Sequence, residues 1–102
     1  MAQEAVWLLF PGNPDGVAAR YAEGLRRFRA SNAAVAPETV FVGRSDKEPN
    51  GLAVMLLWPE GVSHEVLGHF LLSELRGLGL ERPRAEHVSV MAKGWDQVSA
   101  MR

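Results

Sequence analysis

The sequence predicts an α+β chain of the ferredoxin-like kind: β-α-β-β-α-β, a four-stranded antiparallel sheet with two helices on one face. Three observations predict it. The stretches 6-VWLLFPG-12 and 54-VMLLWPE-60 both read V-x-L-L-aromatic-P, forty-eight residues apart. At the same spacing Glu38, Val40 and Val42 of 38-ETVFVG-43 recur as Glu86, Val88 and Val90 of 86-EHVSVM-91. Between the members of each pair lies a helical pattern with the same steps of four, four and three: Val17, Tyr21, Leu25 and Phe28, then Leu67, Leu71, Leu75 and Leu78. Such spacing lays apolar side chains along one face of an α-helix. Each half therefore reads strand, helix, strand.

The elements follow in order. The first strand, Ala5–Phe10, is apolar on both faces, as a central strand of the sheet is. Asn13 and Pro14 can open the first helix as N-cap and first helical residue, and Arg26, Arg27 and Arg29 suit the negative end of its dipole. The second strand is mixed, as an edge strand is. The polar run 45-SDKEPNG-51, with its Pro49-Asn50-Gly51 turn signal, reads as a solvated hairpin loop. The third strand, Leu52–Trp58, is again apolar on both faces. Ser63 can cap the second helix, Glu65 favours its first turn, and Val62 with Leu67 would form a hydrophobic staple. Gly79 reads as the glycine that ends this helix. A mixed fourth strand closes the pattern.

Size and composition bound the rest. A chain of 102 residues makes one domain, residues 1–102, with a thin core. A net charge of −1 argues against nucleic acid, whose affinity comes from Lys and Arg on phosphates. No cysteine is present, so neither a disulfide nor a thiolate metal site can form, which fits a cytoplasmic setting. The apolar run Ala5–Phe10 is too short for a membrane span or a secretory signal. Two helices cover only one face of a four-stranded sheet. Trp7, Leu9, Met55 and Leu57 alternate with Val6, Leu8, Val54 and Leu56, so one of these sets lies away from the helices. A bare apolar face of that size is unusual on a monomer, and a homodimer with two-fold symmetry is the simplest cover.

The segment 61-GVSHEVLGHF-70 contains H-E-x-x-x-H, one residue longer than the H-E-x-x-H of zinc hydrolases. Five helical steps separate two side chains by roughly 140° around the axis, so His64 and His69 point apart and no metal site is expected. His69 falls on the outer face beside Glu65, Ser73 and Arg76; His64 lies at the edge of the apolar stripe. No Ser/His/Asp order, P-loop or G-x-G-x-x-G is present. The third strand, 51-GLAVMLLW-58, is aliphatic where an RNA-recognition sheet is basic and aromatic. The loop 11-PGNPDG-16 carries an Asp and no Arg, unlike the anion loop of acylphosphatases.

A strand ending in Trp-acidic followed by a helix of this kind, 58-WPEGVSHEVLGHFLLSEL-75, resembles the antibiotic-biosynthesis-monooxygenase group of the dimeric α+β barrel superfamily. Trp58, Glu60, Leu67 and Ser73 fall on its pattern. The family's helix histidine would stand where this chain has Phe70, so no role passes to His69. The resemblance implies a barrel of two sheets packed face to face, with a small pocket in each subunit. It also implies an activity such as cofactor-free oxygenation of polyphenolic substrates, isomerisation or haem degradation. The last is disfavoured: 4-EAVWLLF-10 has no Asn, and 77-GLGLERP-83 has no His.

The fourth strand supplies the candidate chemistry. In 86-EHVSVMAKGW-95, Val88, Val90 and Ala92 form one face, and His87, Ser89 and Met91 the other. The expectation is a pocket in which His87 transfers a proton, walled by Trp7, Met55, Trp58, Ser89 and Met91, for a hydrophobic aromatic or polyketide-like molecule, without metal or other cofactor. The alternative is a non-catalytic ligand-binding or dimerisation module of the same fold, with a half-exposed edge strand. An empty cavity beside His87 would favour the enzyme, a filled one the module.

Overall fold

The computed structural model describes residues 3–11, 14–48, 50–76 and 83–101. The chain runs β1 (Gln3–Phe10), α1 (Pro14–Ser31), β2 (Thr39–Arg44), β3 (Leu52–Leu57), α2 (Glu65–Arg76), β4 (Arg84–Val90) and a short α3 (Trp95–Ser99). One turn of 3-10 helix, Ala33–Val35, joins α1 to β2. The four strands form one antiparallel sheet in the order β2-β3-β1-β4. This is the predicted ferredoxin-like arrangement, and the two strands that read as apolar on both faces occupy its centre. The repeated aromatic-proline ending marks the exits of β1 and β3 at Phe10-Pro11 and Trp58-Pro59. The sequence reading contained no α3.

Register assigns every strand residue to a face, because directly paired residues of an antiparallel sheet point the same way. Toward the helices stand Val6, Leu8 and Phe10 of β1, paired with Leu56, Val54 and Leu52 of β3. These positions and Trp58 pack against Val17, Tyr21 and Phe28 of α1 and Leu67 and Leu71 of α2 to form the core. The other face carries three rows of four: Thr39, Leu57, Ala5 and Val88; Phe41, Met55, Trp7 and Glu86; Gly43, Ala53, Leu9 and Arg84. No helix among the described residues covers this face. Trp7 and Phe41, neighbours through Met55, remain 48% and 59% exposed. The helices therefore lie over Val6, Leu8, Val54 and Leu56, and the set Trp7, Leu9, Met55 and Leu57 is the one left outside.

The two helices touch closely at one point. A Cβ on Gly24 of α1 would lie 3.0 Å from the Leu71 side chain of α2, so glycine there permits the approach. Phe28 and Phe70 stack edge-on across the same seam, with centroids 5.4 Å apart. Ser63 Oγ accepts the Glu65 N–H at 3.2 Å, as the capping expectation required. In the β2–β3 loop Ser45 Oγ accepts the N–H of Lys47 and Glu48, and Ser45 itself pairs with Gly51 across the turn. Asn13 and Gly79, read as the cap of α1 and the end of α2, lie outside the described residues. No helix among the described residues is long and apolar enough to cross a membrane.

Candidate functional site

One end of the helix-side face gathers polar groups from four segments. β1 contributes Glu4, β4 contributes His87 and Ser89, the segment after β3 contributes Trp58, and the residue before α2 is His64. Their assembly follows from pairing. Glu4 stands opposite Ser89, and Val6 opposite His87. The Trp58 N–H donates to the Glu4 carbonyl at 3.0 Å, which extends the β1–β3 ladder by one residue. The turn through Gly61, whose φ of 78° suits glycine, then brings His64 back over Glu4.

Glu4 and His64 are joined twice. The carboxylate oxygen Oε2 of Glu4 accepts the His64 backbone N–H at 2.7 Å and lies 2.7 Å from the ring nitrogen Nδ1. These hydrogen bonds, the ring contact first, hold the Glu4 carboxyl below its ordinary range, and the nearby His87 adds to the effect. The His64 and His87 rings lie 4.4 Å apart, tilted by 43°. The Trp58 ring meets His64 edge-on at 6.1 Å. Trp58 is fully buried, and its Nε1 has no hydrogen-bond partner among the described residues. The Tyr21 hydroxyl, at the other end of the core beside Phe10, is equally buried and unpartnered. Burial pushes its pKa well up, because the phenolate would have to leave water.

The sheet end is tied off by a second polar chain. Gln3 Nε2 donates to the Trp58 carbonyl at 2.7 Å and to Glu38 Oε1 at 2.8 Å. Lys93 Nζ reaches the same Glu38 oxygen at 2.6 Å, which draws the segment after β4 across the end of the sheet. The Lys93 ammonium is the main reason that Glu38 also titrates below its ordinary value.

The structure divides the residues that the sequence grouped into one pocket. His87, Ser89 and Trp58 share the helix-side face with Glu4 and Val6. Trp7 and Met55 stand on the opposite face, in the row of Phe41 and Glu86. Met91 follows the end of β4 and is 83% exposed. The single-pocket expectation therefore does not hold for Trp7, Met55 and Met91: the register pairs Trp7 with Glu86 and Met55, away from His87, and Met91 lies beyond the paired residues of β4. Sequence reasoning did not include Glu4 or His64 in the site. Glu4 is sixty residues from His64 along the chain, and the pairing of β1 with β3 and the turn before α2 unite them. His69 is exposed, in contrast to half-buried His64, as their separation around the helix implied. Among the described residues no cluster of three or more His, Cys, Asp or Glu has the arrangement of a metal site.

The fold is that of solved structures described as antibiotic biosynthesis monooxygenases. A protein provisionally so described from Chloroflexus aurantiacus J-10-fl superposes with a TM-score of 0.64 at 11% identity, covering 91% of this chain and 97% of its own. Another provisionally so described, from Caulobacter crescentus CB15, gives 0.58 at 17% identity, covering 87% and 90%. SnoaB, a cofactor-independent oxygenase from Streptomyces nogalater, gives 0.56 at 16% identity, covering 93% and 97%. At these identities the likeness establishes the fold. No protein-family model and no curated protein matches the sequence.

Proposed function

We propose that the protein is a homodimer that binds a hydrophobic, hydroxylated aromatic molecule at the helix-side sheet end and moves a proton of that molecule through His87. The observation that carries this reading is the meeting of the His87 and His64 rings, 4.4 Å apart, beside the buried Trp58 with its unpartnered Nε1. Such a place sets two imidazoles beside an aromatic side chain, the combination of apolar surface and a few placed polar groups that small-molecule sites use. Histidine changes charge nearest neutral pH and suits removal of a phenolic proton. The resulting phenolate is electron-rich, the form of such a compound that dioxygen oxidises without metal or flavin. The fold shared with SnoaB, a cofactor-independent oxygenase, supports this direction. The uncovered rows around Trp7, Met55 and Phe41 support the dimer, with the helix-free faces meeting.

A second reading, a non-catalytic module of the same fold, is favoured by the packing of the interior. Leu56, Trp58, Leu67 and Tyr21 are all 2% exposed or less and fill the space between sheet and helices. The two readings part on substitution. With a panel of hydroxynaphthalenes and hydroxyanthraquinones as probes, His87→Ala should abolish binding or turnover while the fold stays intact. His69→Ala should change little. An inactive, folded His69→Ala beside an active His87→Ala would reverse the assignment, and binding of no compound in the panel would favour the module.

A further inference from the structure

We infer that Glu4 is a positioning residue that fixes the tautomer of His64 and leaves His64 Nε2 as a second acid–base nitrogen for the ligand. This deepens the function proposed above and rests on it for the identity of the ligand. The argument begins with Glu4 Oε2. An ionised carboxylate oxygen only accepts hydrogen bonds. Its contact with Nδ1 at 2.7 Å therefore requires a hydrogen on Nδ1. The neutral ring then carries its lone pair on Nε2. The second bond, from the His64 backbone N–H to the same oxygen, fixes the carboxylate relative to the main chain. Two bonds to one acceptor restrict both the ring and its support. Carboxylates that orient an imidazole in this way set which nitrogen is basic.

Three further observations give the dyad a direction. His64 favours the ionised form of Glu4, holding its carboxyl below the ordinary range. His64 Nε2 has no hydrogen-bond partner among the described residues, and neither nitrogen of His87 has one. Among the described residues Glu4 interacts with both rings, and the neighbouring Trp58 and Ser89 carry no charge. One histidine is thus locked by a carboxylate, while its neighbour on β4 is held only by the strand. A ligand hydroxyl that donates to His64 Nε2 can leave its proton there, with the O–H bond breaking and an N–H bond forming. His87 stands close enough to hold the same ligand oxygen or to take the proton onward.

The dyad is tested without any need for turnover. Nitrogen-15 spectra of the imidazoles in the intact protein, recorded above neutral pH, should show His64 with hydrogen on Nδ1. Glu4→Gln keeps an oxygen that can accept both bonds and should keep that tautomer. Glu4→Ala should lose it and give the Nε2–H form. An Nε2–H form of His64 in the unaltered protein, or an unchanged tautomer in a folded Glu4→Ala, would overturn the inference. The role toward ligand is read with 1-naphthol and 1-methoxynaphthalene. Naphthol should move the His64 Nε2 resonance and bind at least tenfold more weakly to His64→Ala; the ether, which cannot donate, should leave Nε2 unmoved. Equal response to both probes would overturn the ligand role. Failure of both probes to bind, with the Nδ1–H tautomer present, would instead sink the proposed function and leave the dyad standing.

Discussion

Replacing Phe41 by alanine should take the protein apart into single chains without unfolding it. Phe41 projects from the helix-free face of β2 and is 59% exposed, so it contributes little to the core of its own subunit. A phenylalanine carries about 200 Å² of coverable surface, which leaves about 120 Å² of Phe41 open. Covering that area is worth about 3 kcal/mol at ~25 cal/mol per Å². Alanine would retain about a third of it, so the substitution removes about 2 kcal/mol per subunit. Two-fold symmetry places the change twice in one interface, for a total near 4 kcal/mol, or roughly a thousandfold in the dimer dissociation constant. Sedimentation over a concentration series checks this. The unaltered chain should run at about twice its mass of 11.2 kDa at micromolar concentration. Phe41→Ala should approach the single-chain mass there, with an unchanged far-ultraviolet spectrum. A Phe41→Ala protein that dimerises like the parent would refute the reasoning, and so would a parent that stays monomeric.

Three other outcomes follow from the interior and from the sheet end. Leu56, fully buried between sheet and helices, should lose about 2–5 kcal/mol on change to alanine, measured by urea unfolding; less than 1 kcal/mol would mean a looser core. Tyr21→Phe removes a buried hydroxyl without a partner and should leave stability unchanged or raise it by up to about 1 kcal/mol; a clear loss would reveal a hydrogen bond to that oxygen. Glu4 titrates below its ordinary value in the folded state, so its contribution is present above that ordinary value and disappears as pH falls through the lower folded one. Melting temperatures taken between about pH 5 and 3 should therefore fall more steeply for the unaltered protein than for Glu4→Gln, and equal slopes would show that Glu4 is not held by His64.

Much of this fold is written locally. The recurrence of V-x-L-L-aromatic-P and of the two four-four-three helical stripes marks the order of strands and helices without any knowledge of contacts. What the pattern could not carry was sidedness. Val6 and Trp7 are both apolar, as are Val54 and Met55, so alternation gave no sign of which member faces the helices. The decision depends on how α1 and α2 pack, through Gly24 and Leu71 and through Phe28 and Phe70. Once Val6 turns inward, pairing with His87 sends His87 to the helix side and Trp7 away from it. The histidine face of β4 was thus legible, but its neighbours were not. Glu4 was overlooked for a related reason: an acidic residue before an apolar strand looks like ordinary punctuation, and its partner His64 lies beyond two strands and a helix. The one local hint was that the edge of the α2 apolar stripe begins with a histidine.

The burial of β4 differs from that of its neighbours in a way that reaches past this one chain. β4 pairs with β1 along seven positions, from Gln3 opposite Val90 to Leu9 opposite Arg84, yet none of its side chains is buried. Its hold on the sheet is made by peptide groups, which are the same whatever side chains they bear. The residues that secure the architecture are thus concentrated on β1 and β3, whereas the histidine and serine of β4 are exposed. Selection can rewrite positions 85, 87 and 89 with small penalties in stability, whereas equivalent changes in β1 or β3 would open the core. A scaffold divided in this way can vary the side chains of a single edge independently of its core, and a library confined to those three positions would vary that edge in a protein that still folds.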